Sequence, residues 1–516
     1  MGSDDLERMT AVTSSDGSNP DRPVVTSADV ADRASRRWRT LWRIHFYSGM
    51  IAMPFILLMA LTGLVILYTQ PIQDLTQGDL RTVSDTGDWG SFDAMEQAVE
   101  KAYPDHGVVS LTLPADGEHS ASFGLDNDHA VFVNPYTGGV LGDADPGDGI
   151  VGLSNRLHGM LNNDTVTVSL PSVGFVWDDG PVMREYVVGD LVLELLGVWV
   201  VVLAASGLYL WWPRKSRHAG TTKNGRTLFG LRLGKKGRGR WRDLHAMGGV
   251  LMSIVLLVTL ASGMAWSTYW GPNFSALAEE LTPNDFIDPP ASSVGTRGDL
   301  DRLGNKIPWN TGAIPIPASY ATDANGELPA PISLDSVVAI GTEEGMKPGY
   351  AIYFPDNSTV DDAGNPIYGS FTLSNSWPRK TGEARDLFID QFDGNTLDEM
   401  TGWGYGTISY AVDATVSWHM GTQWGVVTRV LMTMMCLLAI WAVISGFVMF
   451  WKRRRPGSAG LPRRPREVKF GWGLWVIIGG LAIVYPLWGV TAAIILLVDR
   501  FVIRTVPRLR AAFGQR

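Results

Sequence analysis

Four of the eight histidines in the chain occupy matching places beside long apolar segments, and their side chains could bind a metal. His45 and His245 each stand at the start of such a segment, and His158 and His419 each precede one. An ionisable side chain at membrane depth is costly, so a histidine there is usually paired, hydrogen-bonded or bound to a metal. The placement predicts two pairs of ligands, His45 with His245 and His158 with His419.

A haem of the b type suits two histidines better than a bare metal ion does. Bis-imidazole ligation suits haem b, and the chain has no Cys-x-x-Cys-His to attach a haem covalently. Zinc or copper held by two histidines alone is under-coordinated. We therefore expect two haems b, and two alternatives stay open: another metal, and histidines with a purely structural role. Gly49, Gly249 and Gly421 leave space for a flat macrocycle or for plain helix packing.

Two arginines are candidate partners for the propionate groups of haem. Arg156 stands two residues before His158, and Arg429 stands inside the fourth apolar segment. A charge at that depth needs a partner, so Arg429 is expected to meet a propionate or to pair with Glu194, at a similar depth. The remaining histidines are expected in solvent without a role: His106, His119, His129 and His218.

Five apolar segments must position these side chains. Each is longer than the about 20 residues that cross the hydrocarbon core of a bilayer, and tryptophan at their edges is typical of a membrane interface. Pro486 in the last segment predicts a broken or re-entrant helix. The predicted spans are residues 44–69, 187–213, 245–271, 419–451 and 472–498.

Charge divides the connections between the spans into a basic set and an acidic set. Basic residues crowd one set of connections, which places that set and the N-terminus in the cytoplasm. Acidic residues crowd the other set, so the net charge of −9 belongs to outer modules and does not indicate a nucleic-acid-binding protein. The cytoplasmic parts are a disordered tail over 1–35, basic loops over 214–244 and 452–470, and a basic tail over 499–516; the outer parts are a module over 70–157, a linker over 158–186 and a module over 272–418.

The two halves of the sequence resemble each other, which predicts a duplicated architecture. From His45 to Gly63 and from His245 to Gly263 is 18 residues in both halves, and both return spans end with Ser-Gly followed by tryptophan. Two parallel repeats imply a pseudo-twofold axis along the membrane normal. The predicted fold class is an all-α membrane bundle of four core spanning helices plus a fifth C-terminal hydrophobic segment, with two small α+β modules outside.

Each outer module is predicted to contain one helix and several short strands. The stretch 272–330 is rich in proline, glycine and aspartate and is predicted to be a loop. The helices are predicted over 93–104 and 333–340, and the strands over 108–113, 119–125, 129–134, 350–354, 369–374 and 386–390.

The chain resembles the PepSY-associated transmembrane proteins over roughly residues 36–500. The resemblance rests on Phe132-Val-Asn-Pro-Tyr-Thr-Gly138, typical of the last strand and turn of a PepSY module. It also rests on the Leu-His, Trp-His and Ser-Gly-x-x-x-x-Trp patterns at the spans. Better-understood members, called iron-regulated membrane proteins, are haem-containing ferric-siderophore reductases of the bacterial inner membrane. The resemblance implies two haems b with the axial ligands His45, His158, His245 and His419.

The same resemblance implies an outward path for electrons. An unidentified cytoplasmic or membrane donor supplies them, and a ferric chelate or siderophore on the outer side accepts them. Hard oxygen ligands hold Fe(II) poorly, so reduction releases iron for uptake. The expected enzyme is therefore a ferric-chelate reductase; the alternative is a non-redox accessory, regulator or haem/iron carrier subunit. Roughly 28 residues separate His158 from the next span, more than the family usually has, so the outer site is expected to differ in shape.

Overall fold

Long apolar helices and one sheet domain make up the structure, a computed structural model. The sheet domain contains the strands of the two predicted outer modules and is called the outer domain for that reason. The structure describes residues 27–163, 165–172, 183–212, 237–264, 267–281, 293–303, 312, 314–320, 328–375, 379–402, 406–453 and 472–512. The helices are α1 (Ser27–Leu67), α2 (Thr69–Thr76), α3 (Gly78–Arg81), α4 (Phe92–Ala102), α5 (Gly149–Met160), α6 (Val188–Trp211), α7 (Arg238–Met264), α8 (Gly271–Leu281), α9 (Leu334–Glu343), α10 (Gly406–His419), α11 (Val426–Arg453), α12 (Trp472–Val484), α13 (Pro486–Val498) and α14 (Pro507–Ala512). The strands are β1 (Val108–Thr112), β2 (Ala121–Leu125), β3 (Ala130–Val133), β4 (Val140–Ala144), β5 (Thr167–Pro171), β6 (Met183–Val187), β7 (Ser293–Thr296), β8 (Pro315–Pro317), β9 (Ala351–Tyr353), β10 (Ser370–Ser374), β11 (Arg385–Asp390) and β12 (Thr396–Thr401).

Five helices in the described part of the chain are long and apolar enough to cross a membrane. Four of them correspond to the first four predicted spans. The fifth predicted span is instead two helices, α12 and α13, which meet at Tyr485 with φ −122° and ψ 80°. This interruption confirms the predicted break, and its cause is that Pro486 has no N–H to continue α12. The five are Arg36–Leu67, Val188–Trp211, Gly239–Met264, Val426–Arg453 and Pro486–Ile503.

Four of these helices form a ring. Helix α1 packs against α6 and α11, and α7 packs against the same two, so α1 and α7 lie diagonally across the bundle. Small or flexible side chains fill the interior, among them Ala52, Ala60, Met432 and Cys436. Small residues let helix backbones approach closely in a membrane. The diagonal arrangement leaves α1 and α7 free to present side chains to each other across the middle.

The outer domain is built on one antiparallel sheet of eight strands, in the order β12-β11-β10-β9-β1-β2-β3-β4. Strand β1 pairs with β9, with Leu111 opposite Ile352. The strands of the two predicted modules therefore join in a single sheet, and one apolar core, which includes Leu111, Phe123, Ile352 and Leu387, covers both. The helices and strands predicted for the modules lie within a few residues of α4, α9 and β1 to β3 and β9 to β11.

Helices α4 and α9 cap each other at their N-termini. The carboxylate of Asp93 accepts hydrogen bonds from the backbone N–H groups of Leu334 (2.9 Å) and Asp335 (3.1 Å). The carboxylate of Asp335 accepts in return from the Phe92 N–H and the Ser91 hydroxyl, both at 2.6 Å. The first N–H groups of a helix have no partner within the helix, and a carboxylate there also complements the helix dipole. This exchange ties the two halves of the outer domain together.

The prediction that residues 272–330 form a loop is wrong over several stretches. Helix α8 lies there, and strands β7 and β8 pair with each other. The 3-10 turn Arg297–Leu303 is anchored because the Arg297 side chain forms an ion pair with Asp386 of β11 at 2.9 Å. Proline and glycine signalled a break in regular structure, but a buried ion pair in the sheet fixes part of this stretch. The predicted linker likewise contains the paired strands β5 and β6.

Replacing Asp93 by alanine should loosen the N-terminus of α9. The change removes the acceptor of two backbone N–H groups, and losing a helix cap of this kind costs about 0.5–2 kcal/mol. Hydrogen–deuterium exchange should therefore become faster over residues 333–340 of the Asp93→Ala protein. Glu100→Gln, an exposed change on the same helix, is the matched control. Equal exchange in both variants would contradict the reciprocal caps.

Candidate functional site

His45 and His245 face each other at one end of the bundle. They project from α1 and α7, the two diagonal helices, and their ring centroids lie 6.4 Å apart. The ring planes are inclined by 76°. The structure thus brings together the first predicted pair.

His158 and His419 face each other at the other end, below the outer sheet. Their ring centroids lie 6.2 Å apart with an interplanar angle of 71°, nearly the same geometry as in the first pair. His158 lies on α5, which packs against α1, and His419 is the last residue of α10, which packs against α7. Leu161, with φ 53°, ends α5 in the left-handed region and turns the chain away. The second predicted pair is therefore also brought together.

Every one of the four rings is anchored through its Nδ1 atom to a hydroxyl on a membrane helix. His45 Nδ1 lies 3.2 Å from Ser206 Oγ and 3.0 Å from the carbonyl oxygen of Leu203. A carbonyl oxygen only accepts, so Nδ1 of His45 carries the proton. The other three contacts are His245 Nδ1 with Ser445 Oγ at 2.9 Å, His158 Nδ1 with Thr62 Oγ1 at 2.8 Å, and His419 Nδ1 with Ser262 Oγ at 3.1 Å.

The hydrogen bonds that the hydroxyls donate indicate the tautomer of the other three rings. Each hydroxyl has one proton, and each donates it to a carbonyl oxygen one turn earlier on its own helix. Its oxygen is then left to accept a hydrogen bond from the imidazole Nδ1–H. This arrangement favours, for each of the four rings, the tautomer in which Nδ1 carries the proton and donates to the hydroxyl oxygen. The hydroxyl bonds are Thr62 to Leu58 (2.8 Å), Ser206 to Leu203 (2.9 Å), Ser262 to Thr259 (2.8 Å) and Ser445 to Ala442 (3.2 Å).

Glycine follows each of these hydroxyl residues and leaves space for the ring. A Cβ on Gly207, Gly63 or Gly446 would lie 3.0, 3.4 or 3.7 Å from Cε1 of the neighbouring histidine. A Cβ on Gly263 would meet nothing within 4 Å. The Ser-Gly or Thr-Gly dipeptide thus supplies an acceptor for the ring and the room for it.

The two arginines that were predicted as propionate partners, Arg156 and Arg429, have other surroundings in the structure. Arg156 on α5 donates from Nε to Asn162 at 2.9 Å and from Nη1 to the carbonyl of Gly147. Arg429 is exposed on α11, and its Cα would be 3.3 Å from a Cβ on Gly421. Glu194 is buried and accepts from the backbone N–H groups of Tyr269 and Trp270, both at 3.1 Å. The expected pairing of Arg429 with Glu194 is therefore not formed, because backbone donors satisfy the carboxylate.

The glycines predicted to make room for a macrocycle have different surroundings. Gly249 would tolerate a Cβ with nothing within 4 Å, whereas a Cβ on Gly49 would meet the Leu203 side chain at 3.5 Å. Gly421 has φ +75°, and a Cβ there would lie 2.8 Å from Leu67. Its glycine is required by the left-handed turn after His419 and by that contact.

The four hydroxyl residues were not predicted as part of the site. Their Ser-Gly and Thr-Gly dipeptides were used only as markers of the sequence repeat. A hydroxyl on the face of an apolar helix, at the same distance from a histidine in both halves, is the signal that could have identified them. Of the histidines predicted to lie in solvent, His106 and His129 contact aspartates at the surface. The His119 side chain is only 18% exposed and contacts Asp74 and Asp116, and His218 lies outside the described residues.

Five long apolar helices among the described residues define a multi-pass membrane protein. Residues 42–453 match the family model of the PepSY-associated TM region. The chain belongs to this family, as its motifs predict, and the match spans all four histidines. No curated protein matches the chain.

Gly207→Ala should displace the ring of His45. The new Cβ would lie 3.0 Å from Cε1, and overpacking a well-packed site costs about 1–3 kcal/mol. Gly263→Ala is the matched control, because it adds the same methyl group after a hydroxyl residue without a close contact. Thermal unfolding in detergent should show a lower midpoint for Gly207→Ala and an unchanged or higher one for Gly263→Ala. Equal midpoints for the two variants would contradict the placement of His45.

Proposed function

We propose that this protein is a di-haem b electron-transfer protein of the bacterial inner membrane that reduces a ferric chelate, such as a siderophore, on the outer side. His45 and His245 would hold the inner haem, and His158 and His419 the outer haem. The observation that carries the proposal is the geometry of the two pairs. A histidine nitrogen lies about 2 Å from a metal that it ligates, so two axial imidazoles on one iron place their centroids about 6 Å apart. The separations of 6.4 and 6.2 Å fit this value.

The protonation of the rings supports the same assignment. A metal-bound histidine usually donates its second ring N–H to a fixed acceptor, which sets the tautomer and orientation of the ring. Thr62, Ser206, Ser262 and Ser445 supply such acceptors to all four rings. Helix packing alone does not explain why a hydroxyl contacts Nδ1 at all four histidines.

A bare metal ion fits these pairs less well than haem does. In the part of the chain that the structure describes, no group of three or more His, Cys, Asp or Glu side chains lies close enough to hold an ion. Zinc prefers four ligands, and each pair offers two. All four histidines are half-buried residues within the bundle or beneath the outer domain. The buried Ser48 hydroxyl and the Trp418 indole N–H, close in sequence to His45 and His419, also have no partner among the described residues.

The two pairs lie far enough apart to carry electrons across a bilayer. Thr62, which holds His158, is 17 residues after His45 on the same helix. That separation is about 25 Å along the helix axis, close to the about 30 Å of a hydrocarbon core. The pair at one end would therefore receive electrons on one side, and the other pair would deliver them on the opposite side.

Charge at the His45 end supports a cytoplasmic position for that pair. Arg453 lies 4.0 Å over the Trp42 ring, and Lys452 lies 5.9 Å over the Trp241 ring. Basic residues beside interfacial tryptophans are typical of the cytoplasmic face. The N-terminus would then be cytoplasmic, and the sheet domain would lie outside.

The duplicated architecture belongs to the same proposal. Each pair takes one histidine from each half of the chain, and each ring is held by an equivalent Ser or Thr. Two PepSY-like modules would then have merged through β1 and β9 into one outer domain. Arg156, two residues before His158, and Arg429, whose Cα lies beside Gly421 after His419, would be the partners for the propionates of the outer haem.

Haem b supplies one-electron chemistry, because its iron passes between Fe(III) and Fe(II) without leaving the protein. The chain contributes the ligands and their orientation. A cytoplasmic or membrane donor would supply the electrons. A ferric chelate outside would accept them and release Fe(II), which hard oxygen ligands bind weakly.

The purified protein should show the absorption spectrum of haem b and contain two haems per chain. His419→Ala should lose about half of the haem, because each pair is expected to hold one group. His106→Ala, which removes an exposed histidine of the outer domain, is the control and should keep both haems. Absorption spectroscopy, together with extraction of the haem, measures the number of haems per chain in all three proteins. A colourless protein from cells supplied with haem would instead favour the non-redox accessory or carrier role.

A further inference from the structure

Buried charged groups gather at one place in the outer domain, beside the helix that ends at His419. Arg297, Asp386 and Asp413 are 2%, 0% and 1% exposed. Arg297 Nη2 donates to Asp386 Oδ1 at 2.9 Å, but Arg297 Nε and Nη1 and Asp386 Oδ2 have no hydrogen-bond partner among the described residues. Neither carboxylate oxygen of Asp413 has one either. The histidine pairs do not use any of these groups.

A buried carboxylate that has charged neighbours but no hydrogen bond among the described residues requires an explanation. Burying an isolated ionised carboxylate is so costly that the group usually binds a proton instead. Burial raises the pKa of Asp413 above its ordinary value, against the opposing effects of the Arg379 charge, the neighbouring Thr381 hydroxyl and, more weakly, the Arg297 charge. Asp386 is the nearby negative group and raises it further. Burial and the neighbouring positive charges thus act on the pKa of Asp413 in opposite directions, so a change in the local field shifts its proton affinity.

The helix that carries Asp413 also carries His419 of the outer pair. Asp413 and Ser417 lie one turn apart on α10, and His419 is the last residue of that helix. The Thr381 hydroxyl lies 3.3 Å from Ser417 Oγ, and the Thr381 N–H donates to Gln423 Oε1 at 3.2 Å. Asp413 is six residues before His419, or about 9 Å along the helix axis. The Asp413 carboxylate thus does not contact His419, but it is close enough to respond to a change of charge at the outer pair.

We propose that Asp413 takes up a proton when an electron arrives at the outer histidine pair. This inference rests on the proposed function. His158 and His419 would hold the haem that receives one electron from the cytoplasmic or membrane donor. The Asp413 carboxylate binds one proton from the outer aqueous phase and becomes a carboxylic acid. When the electron leaves for the ferric chelate, Asp413 releases the proton to the outer aqueous phase.

The size of the coupling follows from the distance. One unit of charge at roughly 10 Å in a medium of effective dielectric constant about 20 changes the proton affinity of a carboxylate on the order of tenfold. By reciprocity, protonation of Asp413 changes the electron affinity of the outer pair by the same factor. The outer haem alone should feel this effect, because the inner pair lies at the far end of the bundle.

Redox titration of the haem-loaded protein at several pH values between about pH 5 and pH 8 tests the proposal. The outer haem is identified as the one missing from His419→Ala. Its midpoint potential should fall as the pH rises, and Asp413→Asn should reduce this slope while Asp413→Glu keeps it. Glu399→Gln, a change at an exposed carboxylate of the outer sheet, is the control and should leave the slope unchanged. Reduction of the unaltered protein in weakly buffered solution should also remove protons from the medium, which needs no variant.

A midpoint potential that is independent of pH in the unaltered protein would overturn the inference and leave the di-haem assignment intact. The same holds if Asp413→Asn keeps the full slope. A protein that binds no haem would overturn both. Proton uptake on reduction, together with a pH slope that is reduced only in Asp413→Asn, supports the assignment of Asp413.

Discussion

The hydrogen bond from a histidine Nδ1 to a serine or threonine hydroxyl is the interaction on which the rest of the structure depends. It occurs four times, and each time the hydroxyl lies on a different helix from the histidine that it holds. An imidazole at membrane depth needs a partner, and this partner also fixes the ring so that Nε2 points away from its anchor. The orientation of every candidate ligand therefore depends on the packing of two helices.

That dependence links the two ends of the molecule. Ser206 and Ser445 hold the inner rings from α6 and α11, whereas Thr62 and Ser262 hold the outer rings from α1 and α7. Each pair combines one histidine from each half of the chain, and the shared sheet and the reciprocal caps of α4 and α9 join the same halves outside. Separation of the halves would disrupt both pairs and the outer domain together. A rigid frame of this kind suits electron transfer, in which the ligands must change little between oxidation states.

Sequence patterns predicted much of this arrangement, and the limits have physical causes. Apolar length identified the spans, and equal spacing identified the histidine pairs, because both signals are local or periodic. The merger of two modules into one sheet was missed since pairing of β1 with β9 joins residues more than 200 positions apart. The hydroxyl anchors were visible in the sequence but had no assigned role, because serine and threonine are also common in packed membrane helices. The cluster around Asp413 arises from tertiary contacts that no local pattern encodes.

Low-temperature electron paramagnetic resonance of the oxidised, purified protein tests the assignment of both histidine pairs most directly. Two low-spin ferric signals are expected, because two axial nitrogens leave no open position on either iron. Both should be strongly anisotropic, since the ring planes of the pairs are inclined by 76° and 71°. A high-spin signal from iron with an open axial position, or a protein without a haem signal, would contradict the assignment.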